Sequence, residues 1–258
     1  MKKGKIFSAV IATVILAAAM WSIKSDSEAV RTSGRAVAET IAGQGMLRLV
    51  EQSIQEKQLS ETVVTEGCSL EEQQHPQAAL TFDDGPDARY TPLLLDGFKE
   101  RNIKASFFLL GEKIEKNKEL VKRIQEEGHL VGNHTYHHVQ LDKLNETKAR
   151  EEILKTNNVI FETTGNYPQY MRPPFGAWKK NLELCVEMLP VFWTIDTLDW
   201  KVQNTEKIIG TVQEQIKDGS IILMHDEYAT TVDAALRVAD SLKEQGYELV
   251  TVDQLIVP

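Results

Sequence analysis

Two adjacent carboxylates, Asp83 and Asp84, form the part of the sequence with the clearest capacity for chemistry. They follow the apolar run 78–80 and precede Gly85-Pro86, a pattern that predicts a buried strand ending in a turn. Two carboxylates this close repel each other unless a cation neutralises one of them. We therefore expect one of the pair to bind a metal ion and the other to be free to accept a proton. The alternative is that Asp-Asp-Gly-Pro serves only as a turn, since these are ordinary turn residues.

A cluster of histidines at residues 134–138 supports the metal interpretation, because three of the six histidines of the chain lie there. His134 and His138 are four residues apart, which would place both imidazoles on one face of a helical turn, as two ligands of one divalent ion require. With Asp84 they would provide two nitrogens and one oxygen and leave positions open for water and substrate, as in catalytic metal sites. His137 would point elsewhere on that turn, so we do not expect it to be a ligand.

Three further segments place polar side chains at the ends of apolar stretches. Two of them are predicted strands, and in the third a pair of prolines fixes the backbone so that the preceding arginine is aimed in one direction. Because α/β barrels place their chemistry at the carboxyl ends of the strands, we expect these side chains to meet the acid pair and the histidines. The polar residues of these segments are Arg172, Asp196, Asp199, Trp200 and His225.

Taken in order, these five segments resemble the motifs of the polysaccharide deacetylases, carbohydrate esterase family 4. All five family motifs are present, and the resemblance runs from about residue 78 to the C-terminus. Phe175 stands where many relatives have Tyr, a difference that leaves the backbone N–H unchanged. The matching residues are Thr81-Phe82-Asp83-Asp84-Gly85, His134-Thr135-Tyr136-His137-His138, Arg172-Pro173-Pro174-Phe175-Gly176, Asp196-Thr197-Leu198-Asp199-Trp200 and Leu223-Met224-His225.

The resemblance implies metal-dependent hydrolysis of N-acetyl groups on a glycan. The implied cofactor is one divalent metal, with zinc the first choice and cobalt, nickel or manganese as alternatives. For a cell-surface enzyme, the first choice of substrate is N-acetylglucosamine of peptidoglycan, and chitooligosaccharides are the next choice. Two alternatives stay open: an O-deacetylase acting on acetyl xylan, and an inactive glycan-binding surface protein. The expected metal ligands are Asp84, His134 and His138.

The resemblance also implies roles for the remaining motif residues. Asp83 would be the general base, oriented and held ionised by Arg172. His225 would be the general acid, and Asp199 would orient it and raise its pKa. Asp196 would instead brace Arg172 or the end of the barrel. The residues expected at the substrate, for the oxyanion and for the acetyl pocket, are Phe175, Trp200 and Leu223.

Strand and helix patterns alternate from residue 78 onward, which predicts parallel strands joined by right-handed crossovers. We predict an α/β fold, and the resemblance implies a distorted (β/α) barrel of about seven parallel strands. The predicted strands are 78–83, 105–110, 130–133, 170–173, 191–196, 220–225 and 248–252. The predicted helices include 91–100, 118–127, 147–163, 205–217 and 232–245.

Residues 1–24 combine a lysine-rich start with an apolar run, a pattern at the boundary between a cleaved signal peptide and a membrane-spanning anchor. We favour an uncleaved signal anchor, with its lysine-flanked end in the cytoplasm and the rest outside the cell membrane; secretion is the alternative. Residues 25–77 would be a partly helical stalk or a disordered linker. Residues 78–258 would be the catalytic domain.

Charge and cysteine content restrict the partners of the protein. The net charge is −9, and since residues 1–24 hold four lysines and no acid, the remainder carries −13. This strongly acidic charge argues against nucleic acid and anionic membrane surfaces as partners, and it is compatible with a neutral glycan. We expect a monomer. Cys68 and Cys185 could form a disulfide outside the cell, but the apolar helical pattern around Cys185 favours a buried free thiol.

Overall fold

The structure, a computed structural model, describes residues 75–178 and 187–256. Eight short strands and eight α-helices alternate in this part of the chain. The strands are β1 (Gln77–Asp83), β2 (Ser106–Leu109), β3 (Leu130–Asn133), β4 (Tyr170–Met171), β5 (Leu189–Pro190), β6 (Ile195–Asp196), β7 (Ser220–His225) and β8 (Glu248–Leu249). The helices are α1 (Tyr90–Arg101), α2 (Gly111–Lys116), α3 (Lys118–Glu126), α4 (Glu146–Thr164), α5 (Asp199–Val202), α6 (Thr205–Gln215), α7 (Ala229–Glu244) and α8 (Val252–Ile256). Two 3-10 turns lie at Leu141–Lys143 and Pro174–Gly176.

One sheet contains all eight strands, in the order β5-β4-β3-β2-β1-β7-β6, with β8 beside the start of β1. Every ladder is parallel, as the alternation of strands and helices predicts. In the described part of the chain no ladder joins β5 to β6, so the sheet is an open barrel. The predicted α/β class and the parallel pairing are confirmed.

The strand that carries the acid pair lies at the centre of the sheet. Residues 78–82 of β1 are fully buried, as expected for a parallel strand that is covered on both faces. The Phe82 ring packs against Phe107 of β2 at a centroid distance of 5.2 Å and against Phe98 of α1 at 5.8 Å. This tightly packed core fixes the end of β1, where Asp83 begins the site.

Strand register brings the predicted chemical residues to one edge of the sheet. Asp83 at the end of β1 is directly opposite His225 at the end of β7. Asp196 at the end of β6 is opposite Leu223 in the same strand β7. The expectation that the polar side chains share the carboxyl edge is therefore confirmed.

The prediction of one strand over residues 191–196 is wrong, because this segment pairs with two different neighbours. Val191 N–H donates to the carbonyl of Met171, continuing the contact of β5 with β4. Three residues later, Thr194 N–H donates to the carbonyl of Ile221 in β7. The chain thus crosses from one end of the sheet to the other here, and the two short strands β5 and β6 replace the single predicted strand.

Two other predicted strands are shorter than expected. The strand predicted at 170–173 ends at Met171, because the prolines that follow Arg172 have no N–H for a ladder. The strand predicted at 248–252 ends at Leu249, and α8 begins at Val252.

The expectations for residues 1–24 and for most of 25–77 concern positions outside the described residues, and so do those for Cys68 and Cys185. The domain boundary at residue 78 stays a prediction. From 75 to 178 and from 187 to 256, no helix has both the length and the apolar character needed to cross a membrane.

Candidate metal centre and active site

The two carboxylates of the acid pair face different partners because the backbone turns between them. Asp84 has a φ of 68°, a left-handed conformation that Asp tolerates better than most residues. Asp83 Oδ1 accepts a hydrogen bond of 2.8 Å from Arg172. Asp84 Oδ1 lies 3.3 Å from the Nε2 atoms of both His134 and His138. The pair is thus divided between a guanidinium on one side and two imidazoles on the other.

The predicted helical turn at residues 134–138 is wrong, because this segment is an irregular loop that follows β3. Thr135 and His138 have φ values of 67° and 54°, which a right-handed helix does not allow. Side chains rather than helical carbonyls accept N–H groups of the loop; Asn133 Oδ1, for example, accepts from Thr135 N–H at 2.7 Å. The loop still brings the His134 and His138 rings together, with centroids 5.1 Å apart.

Asp84, His134 and His138 form a group that could hold one metal ion. One ligand atom from each residue lies within 4.8 Å of the others. Asp84 Oδ1 is buried and has no hydrogen-bond partner, a costly state unless a cation completes its surroundings. His134 Nδ1 lies 2.6 Å from the carbonyl oxygen of Arg172, which requires the proton on Nδ1 and leaves the Nε2 lone pair facing Asp84. Two imidazole nitrogens and a carboxylate oxygen suit the implied divalent metal.

The surroundings of this group favour the unprotonated ligands that a metal requires. Burial alone would raise the pKa of the Asp84 carboxyl, but the neighbouring imidazoles of His134, His138 and His225 outweigh it and hold this pKa well below its usual range. For His138, burial is the largest influence and lowers the pKa of the ring, although the charge of Asp84 opposes it.

Arg172 is fully buried, and four oxygen atoms fix its guanidinium. Its Nη1 donates to Thr81 Oγ1 at 2.7 Å and to Asp83 Oδ1 at 2.8 Å. Its Nε and Nη2 donate to the carbonyls of Val191 and Phe192 at 3.3 and 3.4 Å. Arg172 therefore holds one oxygen of Asp83 and leaves the other, Oδ2, facing the metal-ligand group.

His225 and Asp199 form a second charged pair at the site. His225 Nδ1 lies 2.8 Å from Asp199 Oδ1, and the fully buried Asp199 also accepts from the backbone N–H of His225 at 2.7 Å and from Thr231 Oγ1 at 2.7 Å. Burial lowers the pKa of His225, but the hydrogen bond and the charge of Asp199 prevail and raise it to about 9. The other ring nitrogen, Nε2, lies 4.0 Å from Asp84 Oδ2, so a protonated nitrogen faces the metal-ligand group.

A cavity of about 500 Å³ opens over these residues. The half-exposed Trp200 and the buried Leu223 lie in its wall, so the residues expected at an acetyl pocket share the cavity with the acid pair. Phe175, with a φ of 60°, presents its ring edge-on to His138 at a centroid distance of 4.7 Å. Phe175 is mostly solvent-exposed.

Two roles were expected for Asp196, bracing Arg172 or bracing the end of the barrel. Asp196 lines the cavity, and its Oδ1 accepts from Leu198 N–H at 3.0 Å. The side chains that hydrogen-bond to Arg172 are Asp83 and Thr81, so the contacts favour the barrel-end alternative for Asp196. Its hydrogen bond instead stabilises the turn that leads into α5 at the barrel edge.

Sequence reasoning missed two aromatic residues of the cavity wall, Trp193 and Tyr228. Trp193 lies in the segment predicted as one buried strand, and only the crossing of the sheet brings it to the cavity. Tyr228 lies three residues beyond His225, immediately before α7. The sequence signal that could have identified Tyr228 was its position shortly after the motif residue His225.

Asp226 was also missed, although it directly follows His225. It is fully buried, Thr91 Oγ1 donates to its Oδ2, and its Oδ1 has no partner. Burial raises the pKa of this carboxyl to about 7, although the hydrogen bond from Thr91 opposes the shift. A Cβ at Gly85 would lie 2.4 Å from Asp226 Oδ1, so only glycine allows this close packing of the β1 and β7 loops.

An open parallel barrel with a carboxylate and two imidazoles at its carboxyl edge, flanked by an Asp–Arg and a His–Asp pair, is the expected setting of a metal-assisted hydrolase. The sequence profile described as polysaccharide deacetylase matches residues 71–191. Together with the relatives below, this match shows that the chain belongs to the polysaccharide deacetylase family, carbohydrate esterase family 4.

Three relatives illustrate the likeness. The peptidoglycan-N-acetylglucosamine deacetylase PgdA of Listeria monocytogenes is 44% identical over 177 residues, which cover 69% of this chain and 38% of that protein. A peptidoglycan-N-acetylglucosamine deacetylase of Bacillus cereus is 41% identical over 186 residues, covering 69% of this chain and 68% of that protein. The peptidoglycan-N-acetylmuramic acid deacetylase PdaC of Bacillus subtilis is 40% identical over 177 residues, covering 69% of this chain and 38% of that protein.

The solved structure of PdaC from Bacillus subtilis has the same fold. It superposes with a TM-score of 0.69 at 38% identity and covers 70% of this chain and 90% of the PdaC chain. The present chain spans well under half the full length of the Listeria and Bacillus subtilis relatives.

Proposed function

We propose that this protein removes N-acetyl groups from cell-wall glycan, with N-acetylglucosamine of peptidoglycan as its substrate. The observation that carries the proposal is that Asp83 and His225 both border one metal-ligand group. Asp83 Oδ2 lies 3.8 Å from His134 Nε2, and His225 Nε2 lies 4.0 Å from Asp84 Oδ2. Amide hydrolysis needs both a proton acceptor for water and a proton donor for the leaving nitrogen, and the two border the same small region.

The proposed cofactor is one divalent ion, with zinc as the first choice, held by Asp84, His134 and His138. When bound, this ion would polarise the acetyl carbonyl and make water easier to deprotonate. Cobalt, nickel or manganese could occupy the same donor set. Metal analysis of the purified protein distinguishes among them.

Asp83 is the proposed general base. Its Oδ2 would take a proton from the attacking water, because Oδ1 is already engaged by Arg172. The fully buried Arg172 gives Asp83 the oppositely charged partner that a buried carboxylate needs. Thr81, hydrogen-bonded to the same Nη1, limits how far the guanidinium can move.

The remaining roles follow from the charges that develop on the carbonyl oxygen and on the leaving nitrogen during amide hydrolysis. The Phe175 backbone N–H would donate to the oxygen that becomes negative when water attacks the carbonyl. His225 Nε2 would then protonate the departing amine. Asp199, bonded to the opposite ring nitrogen, keeps the imidazole protonated and oriented until that transfer. Leu223 and Trp200 would enclose the acetyl methyl group.

Two sugars compete as the substrate. The Listeria and Bacillus cereus relatives are named for N-acetylglucosamine, which supports the first choice. The Bacillus subtilis relative, of similar identity, is named for N-acetylmuramic acid, which is the second candidate. Purified peptidoglycan treated with the protein, then digested to single disaccharide units and analysed by mass spectrometry, shows which sugar has lost its acetyl group. Loss confined to N-acetylmuramic acid contradicts the first choice.

The pairing of His225 with Asp199 favours an amide over an acetyl ester of xylan. A departing amine requires a proton, whereas an alkoxide leaves more readily without one. His225→Ala should therefore abolish nearly all acetate release from peptidoglycan. If His225→Ala retained activity on acetyl xylan close to that of the wild type, and the wild type preferred xylan, the ester would be the true substrate. Metal-dependent release of acetate from any glycan excludes an inactive binding protein.

We also propose that residues 1–24 anchor the protein in the cell membrane with the catalytic domain outside, on the basis of the lysine-flanked apolar run. Membrane fractionation with N-terminal sequencing tests this arrangement. A secreted form that begins near Met20 would show instead that the segment is a cleaved signal peptide.

A further inference from the structure

The loop that carries His134 and His138 has a conformation that its own sequence does not favour. Thr135 and His138 both have positive φ values, 67° and 54°, although neither is glycine. Such conformations cost free energy and persist only where surrounding groups hold them. What holds this loop therefore also decides where the two imidazoles point.

Glu152 of α4 makes the most direct contacts with the middle of the loop. Its Oε2 accepts from the backbone N–H groups of Tyr136 at 3.1 Å and His137 at 2.9 Å. Its Oε1 lies 2.8 Å from His137 Nδ1. The Glu152 side chain is 17% exposed, so solvent screens these bonds only partly. One carboxylate thus binds two consecutive N–H groups and one side chain between the two metal-ligand histidines.

The first half of the loop is also tied to α4, but through neutral groups. Asn133 Oδ1 accepts from Thr135 N–H, and Asn133 Nδ2 donates to the carbonyl of Ile153 at 2.9 Å and to Asn157 Oδ1 at 2.7 Å. This helix therefore serves as the support of the loop. The contacts of Glu152 involve a carboxylate, and hydrogen bonds to a charged group are stronger than the neutral ones made by Asn133.

The same geometry is consistent with the expectation that His137 is not a metal ligand. Its Nδ1 is engaged by Glu152, and its side chain is 53% exposed. It lies between His134 and His138 in sequence, yet it serves the support of the loop rather than the metal-ligand group.

We propose that Glu152 is a positioning residue that sets the metal affinity of the site by holding the 134–138 loop in its left-handed conformation. This inference rests on the proposed metal-dependent function. Groups that orient metal ligands typically affect metal affinity by about 10- to 100-fold when they are removed. Glu152 touches none of the reacting groups, so its effect on turnover would act through the histidines.

The test compares zinc affinity among purified full-length variants, measured by competition with a chromophoric chelator. Glu152→Ala removes all three contacts, and Glu152→Asp keeps the charge but shortens the side chain by one methylene, so that it no longer reaches the loop from α4. Glu151→Ala is the matched control, since Glu151 is the neighbouring, exposed glutamate of the same helix. Unfolding of each metal-free variant by urea is measured in parallel.

Both Glu152 variants should bind zinc about 10- to 100-fold more weakly than the wild type, while Glu151→Ala binds it equally well. The urea data show whether each variant remains folded without metal. If it does, weaker zinc binding cannot be attributed to a general loss of stability. If Glu152→Ala does not fold, Glu152→Asp decides by the same criterion. Wild-type affinity in a folded Glu152 variant overturns the positioning role alone. A wild-type protein that binds no divalent metal overturns the proposed metal centre, and the inference with it.

Discussion

Asp83 and His225 lie directly opposite each other at the ends of the neighbouring parallel strands β1 and β7. One belongs to a pair with buried Arg172, the other to a pair with buried Asp199. The proposed proton acceptor and the proposed proton donor are therefore fixed at the same level of the barrel edge by backbone register, and each is held by an oppositely charged partner.

Asp83→Asn should separate proton transfer from metal binding. Because Asp84 and the two histidines remain, the variant should bind metal as the wild type does. Because the amide cannot accept the proton of water, turnover should fall by about 100- to 10,000-fold. Metal content and acetate release measured on one preparation check this prediction. An Asp83→Asn protein that loses its metal would identify Asp83 as a ligand and reverse the assignment of the acid pair.

Asp199→Asn should move the alkaline limit of activity to lower pH. The proposed acid must be protonated to act, and its partner Asp199 is the main reason that the pKa of His225 is raised to about 9 against the opposing effect of burial. Without that carboxylate the imidazole should lose its proton nearer its ordinary pKa of 6.5. The pH profile of kcat/KM for the two proteins tests this. An unchanged alkaline limb would mean that another group, such as water at the metal, controls it.

Asp226→Asn should make the stability of the protein less dependent on pH. Burial raises the pKa of Asp226 from 3.8 to about 7, so the folded state binds its proton more tightly than the unfolded state does. Its contribution to stability is therefore fully present below about pH 4 and is lost as the pH rises through about 7. As the pH rises from about 4 to about 7, the free energy of unfolding of the variant should increase relative to that of the wild type. At pH 7 the change is on the order of a few kcal/mol.

Urea unfolding of both proteins across that pH range measures the difference, and groups shared by the two proteins cancel. A stability difference that does not change with pH would show that Asp226 is ionised in the folded protein throughout. Thr91→Val provides a second variant, since it removes the hydroxyl that donates to the same carboxyl.

The sequence was sufficient to predict what depends on local pattern. The alternation of strands and helices gave the parallel α/β sheet, and the polar residues after each apolar run gave the shared edge of the site. Asp84, His134 and His138 could be named as one group from residue type and order. Their meeting within 4.8 Å follows from that topology.

The parts that failed depend on contacts between distant residues. The backbone at Thr135 and His138 is left-handed because groups such as Glu152, more than a dozen residues later, bind the loop. The segment 191–196 is divided because its partners change from β4 to β7. Neither effect has a counterpart in the periodicity of the residues themselves.

The measurement that tests the central claim most directly is acetate release from purified peptidoglycan by one preparation of the protein in three states. These are the protein as isolated, the protein after removal of metal by a chelator, and the chelated protein with zinc restored, each with its metal content determined. His134→Ala, treated identically, is the comparison. We predict that acetate release disappears with the metal, returns with about one zinc per chain, and is not restored in His134→Ala. Full acetate release by the metal-free protein would contradict the account.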